Sequence, residues 1–295
     1  MIKIKIAKNS GFCFGVKRAV DMTIKELETA HHKTIYSIGH IIHNKYVIEE
    51  LSKKGLIVAG GIEEIKKGTL IIRCHGLATS VIEEAKKRGL RLIDATCPYV
   101  MNSHKIVEQL LREDYRVVVV GDKNHPEIQA LCDTNSNITV VDENTDVNLI
   151  TRVHTKIGLV AQTTLPLSLY KKVIRSFIKK GFSNLHIFNT ICNDTRKRQF
   201  AAKRLAKSVD CILVVGGASS ANSKRLYQIC KELNSNTYQL EHPDEFKAQW
   251  VAGSRSIGIV SGASTPDKMV TQLADKLTRV DSTCKKSNYV VELKK

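Results

Sequence analysis

RVVVVGDKNHPE, residues 116–127, decides the fold: four valines in a row, a glycine, a polar stretch, and then Pro126-Glu127 leading into EIQALCD. An unbroken β-branched run reads as a strand buried on both faces, and the polar turn ahead of a helical pattern reads as a strand-to-helix loop. Five further runs share this form. They are TIYSIGHIIHN from Thr34, LIIRCHG from Leu70, KIGLVAQTT from Lys156, CILVVGGASSANS from Cys211 and SIGIVSGAST from Ser256. Helical candidates separate them, including NKYVIEELSKKG, SVIEEAKKRG, SLYKKVIRSFIKKG, SKRLYQICKEL and PDKMVTQLADKL. Strands alternating with helices predict the α/β class, with mainly parallel sheets covered by helices.

The runs fall into two interleaved series, one starting at 34, 116 and 211 and the other at 70, 156 and 256. Each series advances by roughly 90 residues, which predicts three copies of one unit with two loops apiece. Cys13, Cys97 and Cys192 advance by about the same period, so each copy brings one cysteine. Three equivalent thiols would meet on a pseudo-threefold axis and leave one coordination position of a bound metal open. The expected division is a lobe over 1–96, a second over 97–191, a third over 192–280, and a tail over 281–295.

Eight cysteines stand at 13, 74, 97, 132, 192, 211, 230 and 284, and no two form a CxxC pair. That argues against a zinc ribbon or a thioredoxin-like redox pair. The N-terminus alternates apolar residues with lysines rather than presenting the apolar run of a signal peptide, and no stretch approaches the roughly 18 apolar residues of a membrane span. A cytoplasmic location with reduced thiols is expected, and no membrane partner. The net charge is +17, but only 5% of residues are aromatic and the lysines sit on helix-like stretches. Solvated faces with some steering of anions account for that charge, and no nucleic-acid partner is expected.

Ligands of open α/β sheets bind beyond the carboxyl ends of strands. The six loops there carry His43 with Asn44, His75 with Gly76, His125-Pro126-Glu127, Gln162-Thr163-Thr164, Ser219 to Ser223, and Ser261 to Ser264. Imidazoles, hydroxyls and an amide beside glycines suit phosphate oxygens. Each loop taken alone is also explained by helix capping. Neither a Walker loop nor GxGxxG is present. Two other readings use the same residues. A zinc phosphoesterase would draw on the Cys and His residues, and a basic RNA-binding regulator would draw on the charge.

GFCFGVKRAV (11–20), IIHN (41–44), RCHG (73–76), DATCP (94–98), HPE (125–127), AQTT (161–164), TICNDTRKRQ (190–199), SSANS (219–223) and SGAST (261–265) follow one another along the chain. In that order they resemble the LytB family of 4-hydroxy-3-methylbut-2-enyl diphosphate reductases. The resemblance implies three α/β lobes around one 4Fe-4S cluster held by Cys13, Cys97 and Cys192. It implies a diphosphate site at His43, His75, His125, Thr163, Ser220, Ala221, Asn222 and Ser264, with Ala221 in place of a frequent serine. Glu127 resembles the family's proton source, assisted by Thr163 and His125. The implied reaction is reductive dehydroxylation of the allylic alcohol diphosphate to isopentenyl and dimethylallyl diphosphates, the last step of the methylerythritol phosphate route. A flavodoxin or ferredoxin is the implied electron donor.

Three places depart from the family pattern: Cys74 ahead of His75, Asp194 after Cys192, and Met101-Asn102-Ser103 after DATCP. Asp194 is expected either to tune the cluster or to face solvent. Cys74, Cys132, Cys211, Cys230 and Cys284 are expected as small buried residues or inert surface thiols.

Overall fold

A computed structural model describes residues 2–29, 34–133, 137–142, 145, 156–182 and 184–282. Cys284 and all but the first two residues of the 281–295 tail lie outside them. The first sheet contains β2 (Ile35–Ile38), β3 (Leu56–Ala59), β4 (Thr69–Ile72) and β5 (Arg91–Asp94), in the order β3-β2-β4-β5. The second contains β6 (Arg116–Val120), β7 (Ile138–Val141), β8 (Lys156–Ala161) and β9 (Asn184–Ile187), in the order β7-β6-β8-β9. The third contains β10 (Cys211–Val215), β11 (Thr237–Leu240) and β12 (Ser256–Ser261), completed by the N-terminal strand β1 (Lys3–Ile6), in the order β11-β10-β12-β1. Every pairing is parallel.

The three sheets therefore share one order, and the six runs picked out in the sequence are the two inner strands of each. Nine α-helices lie among the described residues. Three follow the cysteines: α1 (Phe14–Thr29), α4 (Pro98–Arg112) and α7 (Asn193–Ala206). The others are α2 (Lys45–Lys53), α3 (Thr79–Lys87), α5 (Pro126–Leu131), α6 (Leu167–Lys179), α8 (Ala221–Leu233) and α9 (Asp267–Ser282). Among the described residues no helix is long and apolar enough to cross a membrane.

The chain forms two compact units. The first gathers the described parts of 1–16, 43–46 and 193–295 and holds the third sheet. The second gathers those of 17–42 and 47–192 and holds the first two sheets.

Side-chain alternation explains the layering in each unit. In β6, Val118 and Val120 pack with Tyr170, Val173 and Phe177 of α6, while Val117 and Val119 pack with Val107 and Leu110 of α4 and Ile128 of α5. In β10, Leu213 and Val215 meet Met269 and Leu273 of α9, while Ile212 and Val214 meet Ala202 and Leu205 of α7 and Leu226 of α8. Both faces being covered, the four valines of β6 are fully buried, each worth roughly 1.5–3 kcal/mol over exposure.

The helices that follow Cys97 and Cys192 press on glycines at matching points of two sheets. A Cβ on Gly158 of β8 would come within 2.6 Å of Leu110 in α4, and one on Gly258 of β12 within 2.9 Å of Leu205 in α7. Only glycine lets those helices approach so closely.

Candidate functional site

Each of Cys13, Cys97 and Cys192 is the residue just before a helix, and each is pinned by its own backbone N–H. Cys13 donates to Ala263 O at 3.0 Å, Cys97 to Cys74 O at 2.9 Å, and Cys192 to Thr163 O at 2.9 Å. All three acceptors are the second residue beyond an inner strand, β12, β4 and β8. The repeat thus presents each cysteine in the same way: an inner strand ends, its loop carbonyl grips the cysteine, and a helix departs.

Helix N-termini offer N–H groups that lower a thiol's cost of ionisation. Val16 N–H donates to Cys13 Sγ at 3.4 Å. The N–H groups of Tyr99 and Val100 pull the Cys97 thiol down, although burial outweighs them and its pKa is raised. A bound metal would reverse that balance by deprotonating the ligand outright. All three thiols are half-buried and free of disulfides.

The remaining described cysteines differ. Cys74, Cys211 and Cys230 are buried, and burial pushes the Cys211 thiol up to about 11 and Cys230 to about 12. Half-buried Cys132 is pushed up to about 11. Cys132, Cys211 and Cys230 are therefore poor nucleophiles, and Cys74 is a small buried residue.

The second unit brings His75, Cys97, His125, Glu127, Thr163 and Cys192 together. Pro126 opens α5 with its fixed φ, and His125 caps the helix, its Nδ1 accepting Glu127 N–H at 3.2 Å. With Nδ1 as acceptor, neutral His125 carries its proton on Nε2 and can donate to an anion. The His75 and His125 rings meet edge-on, 5.5 Å apart. Glu127 is 1% exposed and receives both donors of Thr163: N–H to Oε1 at 2.7 Å and Oγ1 to Oε2 at 2.6 Å. Burial raises its pKa to about 7, against the lowering effect of the two Thr163 bonds.

The first unit brings Cys13, His43, Ser220, Ala221, Asn222 and Ser264 together. Ser264 Oγ donates to His43 O at 2.9 Å, and Asn44 Nδ2 donates back to Ser264 O at 2.9 Å. Ser220 caps α8, accepting Ser223 N–H at 3.4 Å, so capping is real there. Capping does not account for Asn222: it is 4% exposed, and neither its amide oxygen nor its amide nitrogen has a hydrogen-bond partner among the described residues. The hydroxyl of neighbouring Ser223 is in the same state. An unsatisfied buried amide costs about 1–3 kcal/mol, which a diphosphate at the α8 N-terminus would recover.

Sequence reasoning missed the part played by main chain. Ala263 and Cys74 act through carbonyls, which leave no residue-type signal. It also missed Arg198, which is 3% exposed. Its Nε donates to Asp194 at 2.5 Å, and Nη1 reaches the carbonyls of Ser261 and Gly262 at 3.3 and 3.4 Å. Asp194 therefore neutralises a buried guanidinium that clamps the end of β12, and is only 25% exposed. The i, i+4 spacing of Asp194 and Arg198 was the available signal. In α4, Met101 and Asn102 face outward, while Ser103 is buried and bonds back to Tyr99 O.

The model of the family described as LytB protein matches residues 4–278. Curated relatives include the 4-hydroxy-3-methylbut-2-enyl diphosphate reductase of Aquifex aeolicus, 42% identical over 285 residues, which cover 95% of this chain and 97% of the relative. The enzyme of that name from Geobacter metallireducens is 40% identical over 282 residues, covering 95% and 99%. A solved structure of (E)-4-hydroxy-3-methyl-but-2-enyl diphosphate reductase, described as the terminal enzyme of the non-mevalonate pathway, is 40% identical with a TM-score of 0.69, covering 95% of this chain and 100% of its own. The structure of E-1-hydroxy-2-methyl-but-2-enyl-4-diphosphate reductase from Plasmodium falciparum is 28% identical with a TM-score of 0.88, covering 94% and 88%.

Proposed function

This chain belongs to the LytB family, and from that premise we propose how its residues divide the work of reducing 4-hydroxy-3-methylbut-2-enyl diphosphate. The reaction is reductive dehydroxylation: substrate, two electrons and two protons give isopentenyl or dimethylallyl diphosphate and water. In our reading Cys13, Cys97 and Cys192 hold one 4Fe-4S cluster, with the three repeats over 1–96, 97–191 and 192–280 placed pseudo-threefold around it. The observation that carries this reading is the shared anchoring of the three cysteines, N–H to loop carbonyl and sulfur at a helix start, which none of the other four described cysteines has. When bound, the cluster supplies single electrons and a Lewis-acidic iron.

The other residues bind the diphosphate and move the proton. His43, His75 and His125 bring imidazole donors, Thr163, Ser220 and Ser264 hydroxyls, Ala221 its backbone N–H, and Asn222 its unsatisfied amide. Glu127, with a pKa near 7, holds a proton at neutral pH and gives it to the departing hydroxyl, with His125 beside it in support. Thr163 then steadies the carboxylate with two hydrogen bonds. A flavodoxin or ferredoxin is the electron donor in this scheme, and the cytoplasm is the compartment that keeps such thiols reduced.

The test is anaerobic purification with a visible spectrum and an iron and sulfide count. We expect a broad absorption near roughly 400 nm and about four irons, lost in Cys13→Ser, Cys97→Ser and Cys192→Ser but kept in Cys230→Ala. A colourless protein with stoichiometric zinc would sink the reading.

A further inference from the structure

The first unit carries a groove of about 910 Å³ that the chemistry above does not use. One wall is the end of β1 and the residues after it, and the other is the exposed face of α7. Five cations line it, Lys5, Lys8, Lys197, Arg204 and Lys207, and its lining includes no Asp or Glu. Among the described residues none of the five has a carboxylate partner. Within α7 the one acid, Asp194, is engaged by Arg198. Phe200 lies among these charges with 63% of its surface exposed, and the Arg204 guanidinium sits 5.9 Å from its ring centre. Lys197, Phe200, Arg204 and Lys207 follow one another at three- and four-residue spacing, so they form a single stripe.

An unshielded basic stripe around an exposed aromatic ring is the usual form of an association surface: the charges steer encounter and the ring anchors the complex. Its position narrows the partner. α7 starts at the residue after Cys192, and Phe200 stands eight residues along it, about 12 Å by helical rise. Lys8 precedes Cys13 by five residues on the other wall. Both walls therefore lead to cysteines assigned above to the cluster, and the inference rests on that assignment. The reaction needs two electrons that the substrate cannot supply.

We propose that this groove is the docking surface for a small acidic protein that carries one electron at a time. Two reduced carriers are oxidised in turn for each substrate reduced, and the two protons come from the site and solvent.

The test uses the cluster-loaded full chain and the double variant Lys197→Glu/Arg204→Glu, with Phe200→Ser as a second variant. Lys171→Glu/Lys172→Glu, on exposed positions of α6, controls for net charge. Two quantities are measured: the Kd for an oxidised acidic flavodoxin or ferredoxin at low and moderate salt, and turnover driven by that carrier or by reduced methyl viologen. The groove variants are expected to weaken Kd at least tenfold, flatten its salt dependence and slow carrier-driven turnover, while viologen-driven turnover stays unchanged. The control should match wild type.

An unchanged Kd and carrier-driven rate, an equal loss in the control, or loss of viologen turnover in the groove variants would overturn the proposal. So would preferential binding of the groove to RNA or anionic vesicles. A loaded wild type inert with viologen would count against the cluster assignment instead, and the Kd series would still decide the docking.

Discussion

Thr163 gives both of its hydrogen-bond donors to Glu127, at 2.7 Å from N and 2.6 Å from Oγ1, while its carbonyl accepts the N–H of Cys192 at 2.9 Å. One residue thus fixes the Glu127 carboxyl and the Cys192 backbone at once, the proposed proton holder and a proposed cluster ligand. Burial alone would push Glu127 higher than about 7, and the threonine restrains it.

Glu127→Gln should lower turnover by about 10²–10⁴-fold while the visible absorption is retained. Thr163→Val removes one donor to the carboxylate, so the alkaline limb of the kcat profile should move to higher pH. Thr163→Ser should leave it in place. Steady-state rates across pH 6 to 9 read both outcomes, and an alkaline limb that Thr163→Val leaves where it is in the wild type would remove Glu127 from the proposed proton path.

Glu127 also links stability to pH. Its folded pKa of about 7 lies above the ordinary 4.5, so the native state binds more protons than the unfolded chain between those values. Stability is complete below about 4.5 and falls as pH rises through 7, by roughly 3 kcal/mol in total. Denaturant unfolding of the cluster-free protein from pH 5 to 8 should show that fall, and Glu127→Gln should flatten it.

In the proposed diphosphate site, Asn222 would offer binding at the expense of stability. Asn222→Ala should raise KM at least tenfold with kcat much less affected, because diphosphate binding loses an amide. Thermal melting of the substrate-free protein should be unchanged or higher, since a buried amide without partners is removed. A marked fall in Tm with KM unchanged would make Asn222 purely structural.

Gly158 and Gly258 should behave alike. An added Cβ meets Leu110 at 2.6 Å or Leu205 at 2.9 Å, so Gly158→Ala and Gly258→Ala should each cost about 1–3 kcal/mol. Equilibrium unfolding measures this, and a neutral result at either site would mean that the helix moves away freely.

What could be read in the sequence follows from burial. The inner strands are continuous apolar runs because helices cover both faces, as in RVVVV and CILVV, where all but Arg116 are buried. The outer strands β5 and β9 have no fully buried residue and are four residues long, so RLID and NLHI carry no comparable pattern. The period alone suggested the cysteine triad and its three copies. That β1 belongs to the third sheet was not legible, because KIKI alternates as an edge strand does and nothing local names its partner. At the site, side chains such as Glu127 and Asn222 were visible as residue types, whereas the carbonyl grips on the cysteines were not.

The pairing of β1 with β12 sets a timetable for biosynthesis. Lys3 aligns with Ser256, so β1 waits for a partner made roughly 250 residues later. At about 5–20 residues per second that is some tens of seconds of exposure. The lysines of KIKI suit the wait, because charges along an unpaired strand discourage pairing with other chains. The third sheet can be completed only after β12 has been made, so translation arrested before β12 should leave β1 without its neighbour.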